Sequence, residues 1–203
     1  GVLNKRWHIT ADRFSWAGQD LLRLSYEEQR KIIGRDIAMI YQEPSRSMDP
    51  TAPILEQLIE SIPDSELESS WWGRPFERRK KAIALLHKVG IRDHQAIFNS
   101  YPYQLPEGVC QKIMIAMAIA KKPKLLIADE PTTALESTTQ AQLFRLLASF
   151  NQLKGMSILL ISHELETVAR NTQTLSVLYC GQLVEAGETA TILKQPLHPY
   201  TDA

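Results

Sequence analysis

Three short apolar runs constrain the fold of this chain more than any other feature: DIAMIYQ at 36–42, LLIADE at 125–130 and SILLIS at 157–162. Their length and their flanking turn residues fit buried strands better than helices. An apolar helix over 111–120 precedes the second run and is ended by Pro123. Between the second and third runs lies a helical pattern at 138–153, with Leu143, Leu146, Leu147 and Phe150 on one side and Gly155 at its end. Strands alternating with helices in this way predict an α/β fold with a largely parallel sheet flanked by helices. Ligands of such sheets bind at the carboxyl ends of the strands. Those ends carry Gln42, Asp129 with Glu130, and Ser162 with His163.

The rest of the chain divides around this sheet. Residues 8–22 alternate polar and apolar positions around Gly18 and predict a hairpin, followed by a short helix over SYEEQRKII. From Thr51 to Ile97 the pattern is helical: Ile54, Leu55, Leu58 and Ile59 share a face, a polar break holds Pro63 and Pro75, and a second helix runs around Ala82–Val89. A helix at 164–171 and two strands turning at Gly181 close the sequence. The expected division is therefore 1–43 as an incomplete first part of the core, 44–110 as an inserted helical subdomain, and 111–203 as the remaining core. For Trp71 and Trp72 within the insert, an exposed contact patch and a hydrophobic plug are both open readings.

Charge narrows the partners. Lys plus Arg is 23 and Asp plus Glu is 23, so the basic excess of a protein that binds nucleic acid by counterion release is missing. The two cysteines, Cys110 and Cys180, form no CxxC pair and sit near no ligand-type residues, so both read as reduced, small buried hydrophobes. The longest uninterrupted apolar stretch, IMIAMAIA at 113–120, is too short to span a bilayer, so work at a membrane would go through a partner.

The chemistry concentrates at Asp129 and Glu130. A strand-end aspartate can hold Mg2+ through its water shell while the next carboxylate polarises a water aimed at a phosphate. Alone, the pair is equally compatible with two solvated acids. Gln42 alone reads as a loop residue, and His163 alone could cap the helix that follows it.

Taken in order, MIYQEPSRSMDP, YQLPEGVCQKIMIAMAIA, LLIADEP, TTALE and SILLISHELE resemble the nucleotide-binding domain of ABC transporters along essentially the whole chain. With QPLHPYT near the end, they are similar to the oligopeptide, dipeptide and nickel importer branch. The resemblance implies an ABC-ATPase core, ATP and Mg2+ as cofactors, and a Q-loop at Gln42. It also implies a signature at Leu105–Gln111, a Walker B strand at Leu125–Asp129, a D-loop at Ala134–Glu136 and a switch histidine at His163. By the same resemblance Glu130 orients or activates the attacking water and Asp129 holds Mg2+. Gln42 touches Mg2+ or the water, Gly108 offers its backbone to a nucleotide, and His163 bonds the γ-phosphate. The implied partners are a second ATPase subunit and transmembrane permease subunits, on the cytoplasmic face of a bacterial inner membrane.

This sequence also departs from the family pattern. No GxxxxGK(S/T) occurs in it, and with the abrupt start at Gly1 this predicts an N-terminally truncated domain that neither binds ATP tightly nor turns it over. The signature reads Leu105-Pro106-Glu107-Gly108 where the family has Leu-Ser-Gly-Gly, and the D-loop has Glu136 where Asp is usual. Pro106 removes a hydroxyl and an N–H, and Glu107 brings negative charge toward a polyanion unless it turns away. These changes predict a heterodimer with one good and one poor ATP site. Pro106 and Glu107 also favour a second reading, a non-hydrolysing regulatory module that binds nucleotide or partner subunits, for instance in ion uptake. Glu130 and His163 favour the energising ATPase of a peptide importer. DNA-repair or translation ATPases on the same core are disfavoured by the importer-like tail and the neutral charge.

Overall fold

The computed structural model describes residues 9–132, 135 and 137–202. The chain opens with a two-stranded hairpin, β1 (Ser15–Trp16) and β2 (Gln19–Asp20), turning where Ala17 and Gly18 both take positive φ. Helix α1 (Tyr26–Arg35) starts in a reciprocal capping box between Ser25 and Glu28. It delivers the chain into β3 (Ile37–Ile40).

Asp36, between α1 and β3, is buried and sets the sheet. Its carboxylate takes hydrogen bonds from Arg35 at 2.8 Å, Lys124 at 3.3 Å and the Trp16 indole at 3.3 Å. The Arg35 guanidinium is the main cause holding this carboxyl far below the usual carboxylate range. Its carbonyl accepts from the backbone N–H groups of Lys124 and Leu125 at 2.8 and 3.0 Å. One residue thus ties the hairpin to the sheet and fixes the register of the strand that follows.

The segment expected as a helical insert comes next. Short α2 (Pro44–Ser47) leads to α3 (Ile54–Ser61), α4 (Arg74–Lys88), short α5 (Gln95–Phe98) and α6 (Glu107–Ala120). The second long helix begins at Arg74 rather than near Ala82, because Pro75 lies in its first turn, where a missing N–H costs no helical bond. Helix α6 likewise begins at Glu107, four residues before the apolar run, since Pro106 serves as its N-cap. It runs unbroken across residues 110 and 111, so insert and core share it. Glu77 of α4 organises the preceding loop, accepting from the N–H groups of Glu68 and Ser69, which hold its carboxyl down at about 2.

Strand β4 (Leu125–Asp129), helix α7 (Ser137–Lys154) and strand β5 (Ser157–Ile161) complete the sheet. Its order is β3-β4-β5, all parallel, as the alternation of strands and helices predicts. Helix α8 (Leu165–Asn171) then precedes an antiparallel hairpin of β6 (Thr174–Tyr179) and β7 (Gln182–Glu188), turning at Cys180–Gly181. Helices α9 (Thr189–Lys194) and α10 (Pro199–Asp202) follow. The carboxylate of Glu185 accepts from Leu197 N–H at 2.6 Å and Tyr179 packs on Tyr200, so the tail is held against the hairpin.

A single apolar cluster joins the two regions. Ile40, Leu126 and Ala128 from the sheet meet Ile54 and Leu58 of α3, Leu86 of α4, Phe98 of α5 and Ile113 of α6. Each fully buried leucine or isoleucine here contributes about 1.5–3 kcal/mol, enough for the insert to be packed onto the core rather than hung from it. Cys110 joins this cluster, where burial pushes its thiol up to about 11, but Cys180 is an exposed turn residue and not a buried hydrophobe. Trp71 and Trp72 stack on one another and stand 64% and 76% exposed, so they do not plug the insert. Among the described residues no helix is long and apolar enough to cross a membrane.

Candidate functional site at the carboxyl edge of the sheet

Register decides what gathers at this edge. Ile40 is level with Ala128 and Asp129 with Ile161, so the residues after each strand emerge side by side. Asp129 is the last residue of β4 and half-buried. Glu130 follows with φ +46, in the left-handed region that costs an L-residue about 1–2 kcal/mol, while its N–H donates to Ile161 carbonyl at 2.9 Å. That bond extends the β4–β5 ladder by one residue while the backbone turns. A strained residue at a strand end is a common mark of a site that geometry, not local preference, has fixed.

The turn aims the Glu130 side chain across β5. One carboxylate oxygen lies 2.7 Å from Nδ1 of His163 and accepts the His163 backbone N–H at 2.9 Å. Glu130 is mostly covered, its side chain 16% exposed, whereas His163 is 67% exposed. The hydrogen bond to Glu130, reinforced by its charge, raises the imidazole above its ordinary value. With Nδ1–H held by the carboxylate, Nε2 is the ring atom left to face a ligand. His163 does not cap α8, whose N-cap is Glu164.

Gln42 emerges at the same edge in an exposed bend after β3, and no hydrogen bond joins it to Asp129 or His163. Mg2+ keeps several waters and takes one or two carboxylates, so Asp129 with phosphate oxygens is a sufficient protein share of such a site. The donor set of Asp129, Glu130, Gln42 and His163 therefore fits the Mg2+ and γ-phosphate end of a nucleotide. Among the described residues no cluster of three or more His, Cys, Asp or Glu forms an all-protein metal cage.

The expected signature, residues 105–111, runs from the turn before α6 into its first turns. The Glu107 carboxylate accepts the Ser45 N–H at 3.3 Å, at the start of α2 three residues after Gln42. Sequence reasoning has no handle on Ser45, because the partner is a backbone N–H 62 residues away. Gly108 is a close-approach glycine, since a Cβ there would lie 3.3 Å from Leu135 Cδ2. Of the expected D-loop, Ala134 and Glu136 lie outside the described residues. Gln140 of α7, another residue that the sequence did not single out, donates to the carbonyls of Thr132 and Leu135 at 3.2 Å and so shapes the approach to that loop. The only signal for it was an uncharged polar residue in the first turn of a helix.

Known proteins resemble this chain. The family described as "ABC transporter" matches residues 2–133. The peptide transport system ATP-binding protein SapD of Shigella flexneri is 48% identical over 203 residues, covering 100% of this chain and 62% of the relative. The dipeptide transport ATP-binding protein DppD of the same organism is 42% identical, covering 100% of this chain and 61% of the relative. The chain thus spans under two thirds of the length of these relatives. Among solved structures, the dimeric ATP-binding cassette MJ0796 bound to ADP and Pi superposes with a TM-score of 0.70 at 26% identity, over 82% of this chain and 68% of that one. The ABC transporter component cbiO1 of Clostridium perfringens gives 0.72 at 20% identity, over 90% and 68%, a likeness of fold. By its family match, its sequence relatives and the fold it shares with them, this chain belongs to the ABC transporter family of ATP-binding subunits.

Proposed function

We propose that this chain supplies the hydrolytic edge and the signature helix of an ATPase subunit that energises a peptide importer. The observation that carries the reading is the Glu130–His163 pair, built from the ends of two adjacent parallel strands. Bound MgATP supplies the phosphoryl group and the leaving ADP. Around it, Asp129 would hold Mg2+, and Glu130 orients the attacking water and accepts its proton at a carboxylate oxygen. His163 offers its outer N–H to the γ-phosphate, and Gln42 would contribute to holding the Mg2+ or the water. Gly108 offers backbone N–H to nucleotide on a facing subunit. Phosphoryl transfer rests on positioning and charge stabilisation, which is what these four side chains offer.

The peptide-transport names of the relatives at 42–48% identity support a peptide cargo, and the MJ0796 dimer supports a second ATPase subunit as partner. Transmembrane permease subunits would then hold the protein at the cytoplasmic face of an inner membrane, with residues 44–110 as the helical subdomain that couples to them and 1–43 with 111–203 as the core. Because the 203 residues contain no GxxxxGK(S/T), they alone neither bind MgATP tightly nor hydrolyse it. Calorimetry of the isolated chain with MgATP tests this point, and micromolar affinity would refute it. For the hydrolytic reading, the test is Glu130→Gln within an assembled transporter: steady-state ATPase should collapse while nucleotide binding persists, and unchanged turnover would sink it.

Pro106 and Glu107 favour a second reading, a regulatory module without hydrolysis, because they remove a hydroxyl and add a charge at the signature. The two readings part on whether the assembled pair turns over ATP at one site or at none.

A further inference from the structure

A cavity of about 180 Å³ lies between the end of α4, the middle of α6 and the start of α7. Its walls include Val89, Ile115, Leu143 and Leu146, with Leu135 at one side. Gln111 of α6 also lines it. This residue is 3% exposed, and its side-chain Nε2 has no hydrogen-bond partner among the described residues. A buried donor without an acceptor costs about 1–3 kcal/mol, so its retention in an otherwise close-packed helix needs a reason. Lys88 and Lys112 stand on the same lining, and no ion pair is formed by either among the described residues.

We propose that this cavity is a binding site for a small monocarboxylate with one compact apolar body, of about the size of benzoate. The volume sets the size, since an apolar cavity of about 150 Å³ accepts a single benzene ring. The unpaired amide N–H of Gln111 sets the polarity, since it requires an acceptor, and the positive charges of Lys88 and Lys112 on the same lining favour a negatively charged one. The aliphatic walls take the body. Because its walls come from both the insert and α7, an occupant would bridge the two regions and favour one arrangement of them. The site shares no residue with the Asp129–Glu130–His163 edge, although Gln111 ends the expected signature segment and Leu135 belongs to the expected D-loop.

The experiment is a titration of the protein with benzoate and, in parallel, with neutral benzyl alcohol, read from the NMR methyl shifts of Ile115 and Leu143. Saturable shifts at those methyls, with benzoate bound more tightly than the alcohol, are expected. Gln111→Leu should weaken benzoate about 10-fold or more, as loss of a hydrogen bond to a charged group does. Lys112→Gln should weaken it about 3-fold, in keeping with a partly exposed charge. Leu146→Phe, which fills the cavity, should abolish binding. No saturation in the millimolar range, equal affinity in Gln111→Leu, or undiminished binding to Leu146→Phe would each overturn the proposal. Should Gln111→Leu fail to fold, the other two variants still decide it.

Discussion

The sheet edge and the signature helix carry the two halves of one expected ATPase chemistry, and they are built in opposite ways. At the edge, residues that match the family pattern meet directly, Glu130 reaching His163 at 2.7 Å across adjacent strands. At the expected signature, Pro106 and Glu107 depart from the pattern, and the extra carboxylate accepts the Ser45 N–H. A charge that would have opposed a polyanion is instead spent on tying α6 to α2. The contrast teaches that the departures are accommodated locally, without disturbing the strands or the core cluster that position the edge.

The hardest blow to this contrast would come from the edge. Glu130→Gln in an assembled transporter should lower ATPase about 100-fold or more, the scale set by loss of a positioned general base. A loss under ten-fold would mean that the edge is no more functional than the signature. Next, Pro106→Ser with Glu107→Gly should raise ATPase of the subunit pair roughly 10-fold, because a hydroxyl and backbone N–H groups regain the approach to phosphate. Phosphate-release rates that do not change would remove the main support for a poor site.

Smaller effects sharpen the comparison through stability. Glu130 sits at φ +46, so Glu130→Gly should be more stable than Glu130→Ala by about 1 kcal/mol, read as the difference in denaturant midpoints. Equal midpoints would show that the turn relaxes without cost. Glu107→Ala should cost about 1 kcal/mol and speed hydrogen exchange at the Ser45 amide, with Glu107→Gln falling between. Exchange at Ser45 that ignores both variants would break the tie argued here.

The last prediction concerns pH. Glu130 raises the His163 imidazole above 6.5, its ordinary value. The pair's contribution is therefore complete below about pH 6.5 and fades as pH climbs through the raised value. An NMR titration of the His163 ring should give a midpoint above 6.5 that falls back in Glu130→Gln. A midpoint indifferent to that substitution would mean the contact is not held in solution.

Much of the architecture was legible beforehand because it rests on local pattern. The apolar runs ending at Gln42, Asp129 and Ser162 became the three parallel strands, and alternation with helices implied their direction. Helix starts were harder. Arg74 opens a helix just where Pro75 had read as part of a break, since proline interrupts a helix interior but suits its first turn. The stacked Trp71 and Trp72 could not be assigned from sequence at all, because exposure depends on what surrounds a residue and not on its type.

The sequence by itself determined which residues stand at the ends of the strands, through short apolar runs that must be buried and polar residues that must follow them. It also determined the departure at Pro106 and Glu107, and the absence of a GxxxxGK(S/T) in these 203 residues. Only the tertiary structure decided which of those residues meet. The Glu130–His163 contact needs the exact register Asp129↔Ile161 and a left-handed turn, and the Glu107–Ser45 bond needs α6 packed beside α2. Both join groups far apart along the chain, and such pairings are fixed by how buried surfaces fit together rather than by any local preference.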